Sequence, residues 1–170
     1  MMRVFICAGP QRSGSTWLFN AVRMIASPCY SCAFEKYIGL DSRHRHVVKV
    51  HRYASHLHGM VFITERPEQD RVASMRRFSQ VNGDVITDYD RWMEEARGWE
   101  VAWRARAKLI VRYDDILERP DWQVERIANT MGFITDPLGI SERLARLPDE
   151  VQGDGWDETT LLRKGHRTLI

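Results

Sequence analysis

The stretch Val4-Phe-Ile-Cys-Ala-Gly-Pro-Gln-Arg-Ser-Gly-Ser-Thr-Trp17 decides the fold. Val4 to Ala8 is an unbroken apolar run rich in β-formers, the pattern of a strand buried on both faces of a parallel sheet. Gly9 and Gly14 mark a turn. Trp17, Leu18, Ala21, Val22, Met24 and Ile25 then recur at helical spacing, with a stop before Pro28. Strand, glycine loop and helix N-terminus in that order make an anion cradle. Backbone N–H groups converge there, the helix dipole adds partial positive charge, and glycine lets a phosphate approach the backbone.

The spacing Gly9-x-x-x-x-Gly14-Ser15-Thr16 stands one residue away from the nucleotide-triphosphatase loop Gly-x-x-x-x-Gly-Lys-[Ser/Thr]. Ser15 occupies the lysine's place, and Arg12 is the cation of the loop. That lysine normally reaches the β- and γ-phosphates beside magnesium. A loop without it still cradles a phosphate but serves a magnesium triphosphate poorly. The plain alternative is an ordinary strand-to-helix turn built from small residues.

Composition frames the rest. A chain of 170 residues with 44% hydrophobic and 28% charged residues is expected to form one domain over residues 1–170. A net charge of +2 is too small to make nucleic acid or an acidic membrane surface the principal partner. No apolar run approaches the roughly 20 residues that span a bilayer. The N-terminal apolar run is short and leads straight into the glycine loop, so a signal peptide is not expected and the protein reads as cytoplasmic. The three cysteines suggest no disulfide framework. Cys29-Tyr-Ser-Cys32 has C-x-x-C spacing, but no second pair completes a zinc set, and no metal site is expected.

Working outward from the loop, residues 27–45 are polar and mixed, and read as a connection with a short helix near 34–38. His46 to His51 reads as a second strand. Lys49 and His51 either project on one side of it or crowd its C-terminal end, where ligands of open α/β sheets gather. They would bring a positive charge and a general base to one place. Met60 to Thr64 is a third strand. Pro67 then opens a helix to about Phe78, which places Arg66 at a strand end and Ser74 two turns into the helix. Arg71, Arg76 and Arg77 read as exposed. A long helix over 87–106 carries Trp92, Ala96, Trp99 and Trp103 on one face, most simply for core packing. Lys108 to Tyr113 is a fourth strand. Helices follow after Pro120 and over 141–147. Alternating strands and helices predict an α/β domain: three layers, a mainly parallel central sheet flanked by helices, P-loop-like.

Five motifs in this order resemble the sulfotransferases that use 3′-phosphoadenosine 5′-phosphosulfate (PAPS). Gln11-Arg-Ser-Gly-Ser-Thr-Trp17 resembles their 5′-phosphosulfate loop. Arg66-Pro-Glu-Gln-Asp-Arg-Val-Ala-Ser74 is similar to their 3′-phosphate signature. Lys49-Val-His51 is similar to the segment that carries the catalytic histidine in cytosolic members. Val111-Arg-Tyr-Asp-Asp-Ile-Leu117 resembles their Arg-Tyr-Glu-Asp-Leu strand end. Arg163-Lys-Gly165 matches the start of a C-terminal signature, though His166-Arg167 replaces the glycine and tryptophan that usually follow.

The resemblance implies a role for each position. Arg12, Ser13, Gly14, Ser15 and Thr16 would hold the 5′-phosphosulfate, and Trp17 would lie against the adenine. Arg66 and Ser74, with Arg163, would hold the 3′-phosphate. His51 would deprotonate a hydroxyl or amine on a small-molecule or glycan acceptor. Lys49 and Arg12 would stabilise charge on the sulfuryl group and the leaving phosphate. Glu35 is the alternative base, by similarity to members that act on polysaccharides. The product would be adenosine 3′,5′-bisphosphate, with no metal involved. A P-loop kinase-like phosphotransferase and a non-catalytic nucleotide-binding domain are the competing readings.

Overall fold

The computed structural model describes residues 3–33, 37, 44–82, 88–150 and 156–162, without the side chains of 81–82 and 148–150. Glu35, Arg163 and, residue 37 apart, the short helix expected near 34–38 lie outside these residues. The apolar run forms strand β1 (Arg3–Ala8), and the helical pattern after it forms α1 (Ser15–Ala26). Then come β2 (Tyr30–Ala33), β3 (Arg45–Val50), β4 (Met60–Glu65), α2 (Glu68–Asn82), α3 (Tyr89–Arg104) and β5 (Ala107–Arg112). Three helices follow: α4 (Tyr113–Glu118), α5 (Pro120–Met131) and α6 (Pro137–Glu150).

The five strands form one parallel sheet in the order β2-β3-β1-β4-β5. The α/β class and the parallel sheet agree with expectation. Residues 30–33, read as a connection, are instead β2. This strand pairs only with β3, at the sheet edge, and has Tyr30 exposed. An edge position needs no continuous apolar run, so its polar sequence hid it. The six-residue α4 was likewise not foreseen.

Side-chain alternation along the strands splits the core into two. Phe5, Cys7, Val47 and Phe62 pack under α1, α5 and α6 with Leu18, Val22, Val124, Ile127 and Leu144. Val4, Ile6, Ala8, Val48, Val50, Val61 and Ile63 pack on the other face with Ala54, Leu57 and Trp103. Odd-numbered β3 residues therefore face α1, which aims Lys49 at the first turn of that helix. On that α1 side of the sheet, Lys49 stands beside Cys7 in the register, one residue before β3 ends.

Pro67 opens α2, its carbonyl accepting from the N–H groups of Asp70 and Arg71, both at 3.1 Å. Arg71 is not exposed as expected: its side chain is 4% exposed and pairs with Glu100 of α3 at 3.2 Å. It is the helix's inward-facing arginine, and the neighbouring carboxylate makes its burial tolerable. On α3 the tryptophans separate. Trp103 is fully buried and donates to the Arg52 carbonyl, whereas Trp92 reaches the loop, donating to Gln11 Oε1 at 3.0 Å. No described helix is long and apolar enough to cross a membrane.

Candidate functional site

Loop 9–14 leaves β1 at the C-terminal edge of the sheet, between the ends of β3 and β4. Its backbone is unusual at three points. Gly9 has φ 148° and Gly14 has φ 96°, and Arg12 is left-handed at φ 65°. A Cβ on Gly14 would stand 3.0 Å from Tyr113 Cδ2, so that glycine is needed for both conformation and space. Arg12 has no such freedom. Its strained backbone is held from outside, with Arg66 Nη1 donating to its carbonyl at 3.2 Å. Its side chain is anchored as well: Nε donates to Ser74 Oγ at 3.0 Å, and the guanidinium lies 4.8 Å over the Phe78 ring. Burial lowers the Arg12 pKa to about 10; Tyr113 opposes the shift, while Arg66 and Arg77 reinforce it. The group stays charged at neutral pH.

Helix α1 begins at the loop with no side-chain cap and no acidic residue in its first turn. Its leading N–H groups are thus offered to a ligand, along with the positive end of its dipole. Lys49 Nζ donates to Thr16 Oγ1 at 2.6 Å, so Thr16 keeps its own hydroxyl proton to donate. Ser13 stands behind the loop. Its hydroxyl donates to the Pro10 carbonyl at 2.6 Å and meets Thr64 Oγ1 at 2.7 Å, which locks the turn to β4.

His51 lies just past the end of β3, with Nδ1 2.8 Å from the Gly9 carbonyl. A carbonyl only accepts, so Nδ1 carries the proton and the lone pair of the neutral ring resides on Nε2. Burial first, and the Lys49 ammonium second, push the imidazolium pKa down to about 4 against a small upward pull from the Gly9 hydrogen bond. The ring is neutral at pH 7.

These groups line a cavity of about 540 Å³. Gln11, Arg12, Gly14, Ser15, Thr16, Trp17, Lys49, His51 and Arg66 form its polar end, and Tyr113, Ile116, Leu117, Pro120, Leu144, Leu147, Trp156 and Leu162 an apolar wall. Among the described residues it contains three cations and no carboxylate. Nor does any group of three or more His, Cys, Asp and Glu stand placed for a metal among them. Such a cavity selects a polyanion with a flat apolar part.

The structure thus brings Arg12, Gly14, Ser15, Thr16, Trp17, Lys49, His51 and Arg66 to one cavity. Ser74 sits beside it, fully buried, as the anchor of Arg12. Several residues were given no role by the sequence reading. Tyr113 forms a floor 4.0 Å beneath the Arg66 guanidinium. Asn20 donates to both the Thr16 and Thr160 carbonyls, at 2.9 and 2.8 Å, tying the segment of Trp156 and Leu162 to α1. Ser79 also lines the cavity. The position of Tyr113 at a strand's C-terminal end was a usable signal; Asn20 and Ser79 had none beyond helical spacing.

No protein-family model matches the chain, and no curated protein matches it significantly. Solved structures do. Mouse sulfotransferase SULT7A1 complexed with PAP superposes with a TM-score of 0.71 at 11% identity, over 99% of this chain and 73% of that one. Retinol dehydratase in complex with androsterone and inactive cofactor PAP gives 0.60 at 17% identity, over 84% of this chain and 64% of that one. The chain spans about two thirds to three quarters of these neighbours. Its fold is the P-loop-like α/β fold of the sulfotransferases.

Proposed function

We propose that the chain is a sulfotransferase, moving a sulfuryl group from PAPS to a hydroxyl or amine on a small-molecule or glycan acceptor. The observation that carries this reading is the cluster at the first turn of α1. There an uncapped helix N-terminus, Lys49 bonded to Thr16, and the neutral His51 bonded to Gly9 converge on one cavity. The fit to a bisphosphorylated adenosine rests on three features: the absence of acidic lining, the apolar wall, and the buried Nε of Arg66, which has no hydrogen-bond partner, the first and last among the described residues. The neighbours' bound PAP, adenosine 3′,5′-bisphosphate, is consistent with that fit.

When bound, PAPS supplies an activated sulfuryl group with a phosphate as leaving group. The chain's own residues do the rest. The α1 N–H groups, Ser15 and Thr16 hold the 5′ end, and Trp17 lies along the adenine. Arg12 and Lys49 would place positive charge where the leaving phosphate develops negative charge. Arg66 holds the 3′-phosphate, with Tyr113 beneath it and Ser74 keeping Arg12 in place. His51 Nε2 would take the proton from the acceptor as its oxygen or nitrogen bonds to sulfur, while the bond from sulfur to the 5′-phosphate oxygen breaks and adenosine 3′,5′-bisphosphate leaves. A sulfuryl group carries less charge than a γ-phosphoryl group, so preorganised donors suffice where a Walker lysine and magnesium would otherwise serve.

Thermal unfolding with ligand tests this reading. In EDTA, adenosine 3′,5′-bisphosphate at 100 times its Kd adds about 2.7 kcal/mol of stability, and adenosine 5′-monophosphate at the same concentration adds much less. Stabilisation by magnesium ATP but not by the bisphosphate, with phosphorylation of an acceptor that EDTA abolishes, would overturn it in favour of a kinase.

A further inference from the structure

Trp92 Nε1 donates to Gln11 Oε1 at 3.0 Å, a bond between the middle of the loop and helix α3. An indole N–H only donates, so the atom facing it is the amide oxygen, and the orientation of the Gln11 amide follows from chemistry. Its NH2 group is turned away from Trp92, with two protons to give and no acceptor among the described residues. Gln11 is exposed and lines the cavity, so a ligand reaches that group. Trp92 itself is half-buried, a firm anchor for a surface side chain.

Neighbouring side chains of the loop diverge. Arg12 turns to α2, where Ser74 and Phe78 hold it, whereas Gln11 turns to α3. The two helices that meet the loop at Gln11 and at the cradle lie on opposite faces of the sheet. Leu18 and Val22 of α1 pack over Phe5, Cys7 and Val47. Trp103 of α3 packs on the other face, with Ile6, Val48 and Ile63. The anion cradle at the start of α1 therefore stands to one side of the loop, and Gln11 reaches to the other.

In-line transfer sets the attacking and leaving oxygens on opposite sides of the atom transferred. With the leaving phosphate in the α1 cradle, the acceptor approaches from the side of α3. His51 is bonded to Gly9, and from Gly9 to Gln11 is two residues, at most about 7 Å of chain and the scale of one monosaccharide. A neutral amide donor suits a hydroxyl, ether or carbonyl oxygen. An acceptor with a single hydroxyl on an apolar frame leaves that donor unused, and a site built to hydrogen-bond a substrate oxygen disfavours the analogue that lacks it.

We propose that Gln11, oriented by Trp92, sets acceptor specificity: its amide N–H donates to an oxygen next to the attacking one, and so selects acceptors of carbohydrate type, with oxygens on adjacent carbons, over those with one isolated hydroxyl. This rests on the reading of the cavity as a sulfotransferase site. Trp92 acts through Gln11 as a positioning residue.

Initial rates with PAPS and two kinds of acceptor, a set of methyl glycosides and 2-naphthol, test the assignment. The unaltered chain sulfates at least one glycoside with a higher kcat/KM than 2-naphthol. Gln11→Met keeps the length of the side chain without its donor. Trp92→Phe keeps an aromatic ring and removes the N–H that orients the amide. Each variant lowers the ratio of kcat/KM for the glycoside to that for 2-naphthol about 3- to 10-fold, the worth of a neutral hydrogen bond. Calorimetry with adenosine 3′,5′-bisphosphate gives both variants a Kd within a few-fold of the parent. An unchanged ratio in either variant overturns the assignment. So does a tenfold or greater loss of bisphosphate affinity in Gln11→Met, which would put the amide on the donor instead. An unaltered chain that binds the bisphosphate but prefers 2-naphthol, or sulfates no glycoside, overturns it too and leaves the functional reading in place. A bisphosphate that fails to bind the unaltered chain overturns the functional reading, and this assignment with it.

Discussion

Lys49 Nζ lies 2.6 Å from Thr16 Oγ1, a bond that ties the end of β3 to the first turn of α1. It orients a buried cation toward an uncapped helix terminus, where its charge adds to that of the dipole. Lys49→Met keeps the length of the side chain and removes the charge. The expected result is a loss of about 10- to 100-fold in affinity for adenosine 3′,5′-bisphosphate, the worth of a charge-assisted hydrogen bond. Without ligand the variant melts no lower than the parent, since a mostly buried ammonium is costly to keep out of water. Calorimetry and thermal melts measure the two effects separately; unchanged affinity would remove Lys49 from the site.

Gly14 gives a test of the loop's shape. At φ 96° an added methyl is strained, and its ideal position is 3.0 Å from Tyr113 Cδ2 and 3.2 Å from Ile116 Cδ1. Backbone strain of this kind costs on the order of 1–3 kcal/mol. Gly14→Ala is expected to destabilise the fold by about that amount in urea unfolding. It also weakens the bisphosphate, because Tyr113 is the floor under Arg66. Gly98→Ala on α3 is the control: nothing lies within 4 Å of its added methyl, and that change is neutral or stabilising.

What the sequence disclosed and what it concealed follow from how each feature is encoded. β1, β3 and β4 are central, buried on both faces, and so written as short apolar runs that name themselves. β2 is an edge strand with a half-polar face, and its four residues carry no period. The anion loop was legible because glycine spacing and a following helix are local. Lys49 and His51 were legible because a strand's end is where ligands meet a parallel sheet. Arg71 was misjudged because its partner, Glu100, lies on another helix, and charge alone suggested solvent.

The last prediction concerns His51, for which pH gives a test independent of turnover. Its folded pKa of about 4 lies below the ordinary histidine value of about 6.5. Between those values the unfolded chain binds more protons than the native one, so stability falls as pH falls. The contribution of the neutral ring is fully present above about pH 6.5 and is lost progressively toward pH 4. Across that window it amounts to about 3 kcal/mol. His51→Asn keeps a hydrogen-bond donor for the Gly9 carbonyl but does not titrate. The stability difference between the parent and this variant should therefore shrink by about that amount between pH 7 and pH 4 in urea unfolding. Parallel curves would mean that His51 is not held neutral by its surroundings. Catalysis supplies the second half. A base poised on Nε2 is worth roughly 10²–10⁴-fold in turnover, so His51→Ala loses that factor while bisphosphate affinity stays within a few-fold of the parent. An active His51→Ala beside an inactive Glu35→Gln would move the base to the segment after α1. Loss of both affinity and turnover in His51→Ala would instead show that the ring shapes the loop through Gly9 rather than taking the proton.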